Sequence, residues 1–275
     1  MTRTTKLILI FCLMACRCMA YDFQVDGVYY TVTDKRHRTV EVTHWEESTN
    51  EWGMPRRVCH HHDCGCGGHD THGHLSRKHL KLIQMDEDAR QRERTAYQGN
   101  VVIPETVRYK GRTYTVTGIG DGSFYGRKQL TGIELPPTVT YIGRSAFGQC
   151  TALTTVCLPA AVKRIGFAAF RRCTSLVSLT LSDSLRTIDI YAFAFCEQLP
   201  QLQIPASVDS IHGNVFFADD CLKSIFLPHS EPPVMRDDVG LSMDFKRMVF
   251  YVPEQVLPLY RADAFWQKQK VRAAH

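Results

Sequence analysis

The sequence predicts a repeat solenoid of 23-residue units, made mainly of short parallel β-strands with short helical turns and capped at both ends. Three observations predict it. Phe124, Phe147, Phe170, Phe193 and Phe216 recur every 23 residues. Ile119, Ile142, Ile165, Ile188 and Ile211 keep the same interval, and so do Leu130, Leu153, Leu176, Leu199 and Leu222. Two further apolar columns run in the same register: Ile133, Val156, Leu179, Leu202 and Ile225, then Leu135, Leu158, Leu181, Ile204 and Leu227. One such unit cannot bury its own apolar face, whereas stacked units bury a continuous one.

Residues 1–20 read as a secretory signal peptide. Arg3 and Lys6 give a positive start, Leu7 to Ala15 form a short apolar core, and small residues lead to Ala20. The stretch is too short and wrongly flanked to span a membrane. Cleavage between Ala20 and Tyr21 sends the mature chain out, secreted or onto the outer cell surface. A competing reading is a lipid anchor at Cys16, because Leu13-Met14-Ala15-Cys16 resembles a lipobox. Met14 fits that pattern poorly, and Arg17 would follow the lipidated cysteine. No later apolar stretch approaches the ~20 residues of a membrane helix, so no transmembrane segment is expected.

Residues 21–45 read as an N-terminal β-hairpin cap, with strands from Tyr29 to Thr33 and Thr39 to Thr43 around the charged turn Asp34 to Arg38. Residues 46–96 are a His/Cys-rich and charged insertion. Within it, Cys59, His60, His61, His62, Cys64, Cys66, His69, His72 and His74 crowd together among glycines, with His79 just beyond. Thiolate and imidazole suit zinc, copper or nickel, and glycine lets a loop wrap an ion. No Cys-x-x-Cys pair is present, so a metal loop competes with a low-complexity insertion of incidental affinity. Deleting residues 59–79 is expected to abolish divalent-metal binding in a calorimetric titration. Retention of that binding would reject the loop.

Residues 97–228 form the solenoid. In Leu176-Val177-Ser178-Leu179-Thr180-Leu181 the end alternates apolar and polar, a strand with Leu179 and Leu181 inward. Pro136, Pro159, Pro205 and Pro228 close the strands, since proline cannot donate to a ladder; Ser182 interrupts that column. A second extended segment follows, as in Val162 to Ile165, and Gly143 and Gly166 are expected to turn the chain. The Ala-Phe pairs then begin a short helical or irregular turn that seats the phenylalanine inside. Cys150, Cys173 and Cys196 share one column, read as buried thiols in preference to disulfides or a metal set. Tyr109-Lys110-Gly111-Arg112 is a turn that widens the first coil. After Glu231-Pro232-Pro233, residues 229–275 hold the C-terminal cap.

The unit from 146 to 166 reads Ala-Phe-x-x-Cys-x-x-Leu-x-x-Val-x-Leu-Pro-x-x-Val-x-x-Ile-Gly. It resembles the BspA-type leucine-rich repeat of bacterial surface proteins. Tyr21 to Tyr30 and Val249-Phe250-Tyr251-Val252-Pro253, with Tyr260 and Trp266, are similar to the ends of such proteins from Bacteroidetes-like bacteria. The resemblance implies a solenoid displayed outside the cell for adhesion to, or recognition of, a host, matrix or partner-cell surface protein or glycan. It implies no catalytic residues and no required cofactor.

Two surface sets are candidate sites. The outward strand ladder holds Glu134, Thr155, Ser178, Thr180, Gln201, Gln203 and Phe226, where hydroxyls and amides suit hydrogen bonding and Phe226 suits stacking on a sugar ring. Concave repeat surfaces of this kind are extended binding faces. Lys163, Arg164 and Arg186, with Arg171 and Arg172 nearby in sequence, form a basic set suited to sulfated or sialylated glycans or to lipopolysaccharide phosphate. A net charge of +5, with bases and acids interspersed, gives no nucleic-acid signal. No phosphate loop, nucleophile elbow or zinc helix is present, so the chain is not expected to be an enzyme.

Overall fold

The computed structural model describes residues 21–25, 28–43, 97–212, 214–236, 245 and 247–274. At the N-terminal end β1 (Phe23–Val25), β2 (Val28–Asp34) and β3 (Thr39–Thr43) pair antiparallel in that order. The charged turn closes on Asp34, whose carboxylate accepts from the Arg36 and His37 N–H groups at 2.7 and 3.0 Å and meets the His37 ring at 2.7 Å. Those bonds hold its carboxyl at about 2.

The first coil contains β4 (Gly99–Val102) and an antiparallel hairpin, β5 (Thr106–Tyr109) and β6 (Arg112–Ile119). Lys110 and Gly111, at φ 48° and 74°, supply the two left-handed residues that a two-residue hairpin turn requires. Strand β3 pairs in parallel with β6, so the N-terminal hairpin covers the edge that the first coil would otherwise leave open. Tyr141 seals this joint. Its hydroxyl donates to the Glu41 carboxylate, and its ring occupies the space where a Gly118 Cβ would stand.

The regular coils follow, each with two short strands. These are β7 (Leu130–Glu134) and β8 (Tyr141–Ile142), β9 (Thr155–Cys157) and β10 (Arg164–Ile165), β11 (Ser178–Thr180) and β12 (Thr187–Ile188), then β13 (Gln201–Gln203) and β14 (Ser210–His212). Next come β15 (Ser224–Phe226) and β16 (Val234–Arg236). Pairing is parallel and advances by the repeat, with Thr155 opposite Ser178 and Arg164 opposite Thr187. In β9, β11 and β13 the central Val156, Leu179 and Leu202 are buried between exposed neighbours. This is the alternation expected of a strand with one face on the core.

The core is a stack of rings. Phe124, Phe147, Phe170, Phe193 and Phe216 lie face to face, with centroids 5.1, 5.1, 6.0 and 5.9 Å apart. Tyr97 closes the column edge-on at 5.1 Å.

The turns that carry these rings are irregular, which decides between the two forms left open above. Ser145 and Gln149, Ala168 and Arg172, and Tyr191 and Phe195 all have positive φ. Left-handed residues at a four-residue interval forbid a right-handed helix. Each costs roughly 1–2 kcal/mol, offset by bonds that only the stacked coil supplies. The N–H groups of Ser145, Gln149, Arg172 and Phe195 donate to Phe167, Arg171, Ala194 and Phe217 carbonyls at 2.8 to 2.9 Å.

Gly143 and Gly166 open the turns, their carbonyls accepting the Ala146 and Ala169 N–H groups at 3.4 and 3.2 Å, but neither is left-handed. A Cβ on Gly143 would stand 2.6 Å from the Asp121 nitrogen, and one on Gly166 would stand 2.8 Å from the Gly143 carbonyl carbon. Glycine there permits close stacking of neighbouring backbones, not an unusual φ.

The strand sheet on the ladder side breaks once. One sheet ends at β11 and another begins at β13. Thr154 and Val177 donate their N–H groups to the previous coil at 3.0 and 2.9 Å. Pro200 stands at the same repeat position and has no N–H to give.

The C-terminal cap adds β17 (Val249–Val252), the helix α1 (Leu257–Ala262) and β18 (Val271–Ala273). β17 and β18 continue the sheet of β15 in parallel. Trp266 is buried beneath them, edge-on to Phe250 at 5.0 Å, and its indole N–H donates to the Pro233 carbonyl at 3.0 Å.

Candidate ligand-binding face

The parallel register places the outward residues in two rows. Glu134, Thr180 and Gln203 are exposed in one, which also carries Cys157 and the partly exposed Phe226. Thr155, Ser178 and Gln201 are exposed in the other, and Ser224 continues it. At one end the row is tied down, since Asn100 donates its side-chain N–H to Glu134 at 2.7 Å.

At the other end the row runs on into the cap. Phe226 pairs with Tyr251, and Tyr251 pairs with Arg272. The Phe226 and Tyr251 rings are stacked, with centroids 5.1 Å apart and planes at 19°. Gln203, Phe226, Tyr251 and Arg272 therefore follow one another on four successive strands. This is an amide, two stacked rings and a cation in a line, suited to hydrogen bonding and ring contact with one extended ligand. Tyr251 and Arg272 were not among the sequence-derived candidates. The signal was present, because Val249 to Val252 alternates as Ser224 to Leu227 does, but the missing 23-residue interval hid it.

The basic set is only partly assembled. Lys163 and Arg186 occupy equivalent exposed positions in adjacent coils, joined by an Arg186 N–H to Lys163 carbonyl bond of 2.9 Å. Arg164 lies in β10 with its guanidinium 3.8 Å from Asp189, and the Arg186 guanidinium donates to the Ser207 carbonyl at 3.2 Å. Arg171 and Arg172 belong to a different element, the turn after Phe170, where both guanidinium carbons lie 5.3 Å from the Phe195 ring centre.

Cys150, Cys173 and Cys196 are free and buried. Each thiol donates to the carbonyl of the phenylalanine one coil earlier, Phe124, Phe147 and Phe170, at 3.0, 3.1 and 3.3 Å. Burial pushes Cys150 up to about 12 and the other two well above the ordinary thiol value. Neutral thiols are neither metal ligands nor nucleophiles. In the next coil the same position, three residues after Phe216, is Asp219. Its carboxylate accepts the Cys196 N–H at 2.6 Å, and burial raises its carboxyl to about 8. The residues from Cys59 to His74 and the signal segment with Cys16 lie outside the described residues.

Comparison with known proteins shows which repeat type these coils are similar to. Residues 114–232 match the family model of the BspA type leucine rich repeat region, in six copies. Residues 114–232 are thus similar to BspA-type leucine-rich repeats. Two solved structures share the fold of the leucine-rich-repeat chain. The Treponema pallidum leucine-rich repeat protein is 19% identical, with a TM-score of 0.54 over 92% of this chain and 99% of its own. A leucine rich cell surface protein from Faecalibacterium prausnitzii is 23% identical, with a TM-score of 0.51 over 84% of this chain. The match covers 44% of that longer protein. No curated protein matches the sequence.

Proposed function

We propose that this leucine-rich-repeat chain is an exported, non-catalytic binding scaffold that recognises or adheres to a protein or glycan of a host, matrix or partner-cell surface. The observation that carries the reading is the line from Gln203 through the stacked Phe226 and Tyr251 to Arg272. Rings held face to face on neighbouring strands are ordered before a ligand arrives, so little entropy is lost when they engage it. The neighbouring positions carry short hydroxyls and amides that add hydrogen bonds without blocking access. Support for display outside the cell comes from the N-terminal signal pattern and from the Faecalibacterium relative, which is described as a cell surface protein.

The test is binding of the purified mature chain to arrayed glycans and to immobilised matrix proteins, compared with a variant carrying Phe226→Ala and Tyr251→Ala. Aromatic hot spots at interfaces are worth about 2 kcal/mol or more each, so affinity should fall by about 30-fold for one ring and by roughly 1,000-fold if the two add. Undiminished binding by the double variant would remove the strand ladder as the site.

A further inference from the structure

A second surface is built by the turns, where Arg171 and Arg172 meet aromatic rings instead of joining Lys163, Arg164 and Arg186. A groove of about 370 Å³ runs along the turn flank of the coils, lined by Gln149, Phe167, Arg171, Tyr191, Phe195 and Phe217 among others. Its volume lies within the ~300–1,000 Å³ of small-ligand sites. Its rings are set edge to face: Phe167 to Tyr191 at 87°, Tyr191 to Phe217 at 89° and Phe195 to Phe217 at 67°. Phe217, outside the buried column that runs from Phe124 to Phe216, is 43% exposed, an unusual outlay of aromatic surface.

The charge in this groove has one sign. Arg171 lines it and Arg172 flanks it, both over the Phe195 ring, while no acidic side chain lines it among the described residues. The backbone has little to offer an incoming chain. Gln149, Arg172 and Phe195 already donate their N–H groups to Arg171, Ala194 and Phe217 carbonyls. A peptide that binds by adding a strand needs such groups unpaired. Recognition must therefore run through ring faces, guanidinium groups and the Gln149 amide, which itself is held by a 2.7 Å bond to the Tyr125 hydroxyl.

We propose that this groove is a second binding site, for an anionic sugar chain, with the rings packing against the apolar faces of the sugar and Arg171 and Arg172 pairing with its carboxylate or sulfate groups. Aromatic rings supply rigid apolar contact, and guanidinium matches planar oxyanions in two-point geometry. The site is independent of the strand ladder, since none of its residues belongs to β7, β9, β11, β13 or β15.

The test is calorimetric titration of the purified mature chain with four probes: a chondroitin sulfate tetrasaccharide, tetragalacturonate, maltotetraose and a glutamate-rich decapeptide. Saturable binding near one to one is expected for at least one anionic sugar, and at least tenfold weaker binding for neutral maltotetraose. Binding of tetragalacturonate would assign carboxylate recognition, and binding of chondroitin sulfate alone would assign sulfate. Arg171→Gln with Phe195→Leu should weaken the anionic sugar at least tenfold. Should that variant melt early, Arg171→Gln with Arg172→Gln leaves the rings in place and should do the same. Phe226→Ala with Tyr251→Ala should leave this binding unchanged. The proposal is overturned if neither anionic sugar binds, if maltotetraose binds equally well, or if the groove variants bind as the parent does. It is equally overturned if a glutamate-rich decapeptide binds as tightly as the sugars, or if the ladder variant loses the sugar.

Discussion

Replacing Phe170 by alanine removes about 3–5 kcal/mol of stability, measured as a drop in the urea midpoint of the purified chain. Phe170 is fully buried and stacks on Phe147 at 5.1 Å and on Phe193 at 6.0 Å. Alanine forfeits the transfer energy of the ring and leaves a cavity that its neighbours cannot fill. They are held by backbone bonds on both sides, Phe147 N–H to the Ala169 carbonyl at 2.7 Å and Phe193 N–H to the Val215 carbonyl at 3.0 Å. Single domains are stable by only ~5–15 kcal/mol. In a solenoid each coil is stabilised by its neighbours, so the loss should also blunt the cooperativity of unfolding. Phe170→Leu keeps most of the volume and should cost markedly less. Equal midpoints for Phe170→Ala and the parent would mean that the ring column does not hold the coils together.

The second large effect is pH-dependent and belongs to Asp219. Its carboxyl, raised to about 8 by burial, binds a proton more tightly in the folded chain than in the unfolded one. The backbone N–H of Cys196 works the other way, by favouring the charged form, and the nearby Asp220 and Glu197 reinforce the rise. Below the ordinary carboxyl value of about 4, both states are protonated and the full stability is present. As pH climbs from there to about 8, the unfolded chain has released a proton that the folded chain retains. Stability therefore falls through that window, by an amount on the order of several kcal/mol at 1.36 kcal/mol per pKa unit.

Asp219→Asn keeps an acceptor for the Cys196 N–H and removes the titration. Denaturant midpoints of parent and variant should separate as pH rises from 5 to 8, with the variant gaining. Other titrating groups, Glu41 and His229 among them, cancel in that difference. A gap that stays constant with pH would show that Asp219 is charged in the folded chain.

Much of this was legible because a stacked fold writes its contacts at a constant interval. The phenylalanine, leucine and isoleucine columns are core columns, and the outward alternation at Ser178 and Thr180 is seen in β11. Legibility failed where the interval was broken. Tyr251 and Arg272 extend the ladder from strands outside the repeat, and Asp219 continues the column of Cys150, Cys173 and Cys196 with a different residue type. It failed also where backbone conformation was at stake. Gly143 and Gly166 open turns as expected, but what requires glycine there is the close approach of the preceding coil's backbone.

By itself, then, the sequence determined the repeat, the inward and outward sides of each strand and the position of the ring column. Each follows from apolar periodicity, and burial of apolar surface is the dominant force in folding. Only the tertiary structure decided how residues distant in sequence or off the repeat meet. It placed Phe226 on Tyr251, and it brought Arg171 and Arg172 over Phe195 above a groove of rings. It also buried the Asp219 carboxyl against the Cys196 backbone. Those juxtapositions depend on left-handed turns and interstrand register, and both are fixed by hydrogen bonds between coils that no single repeat contains.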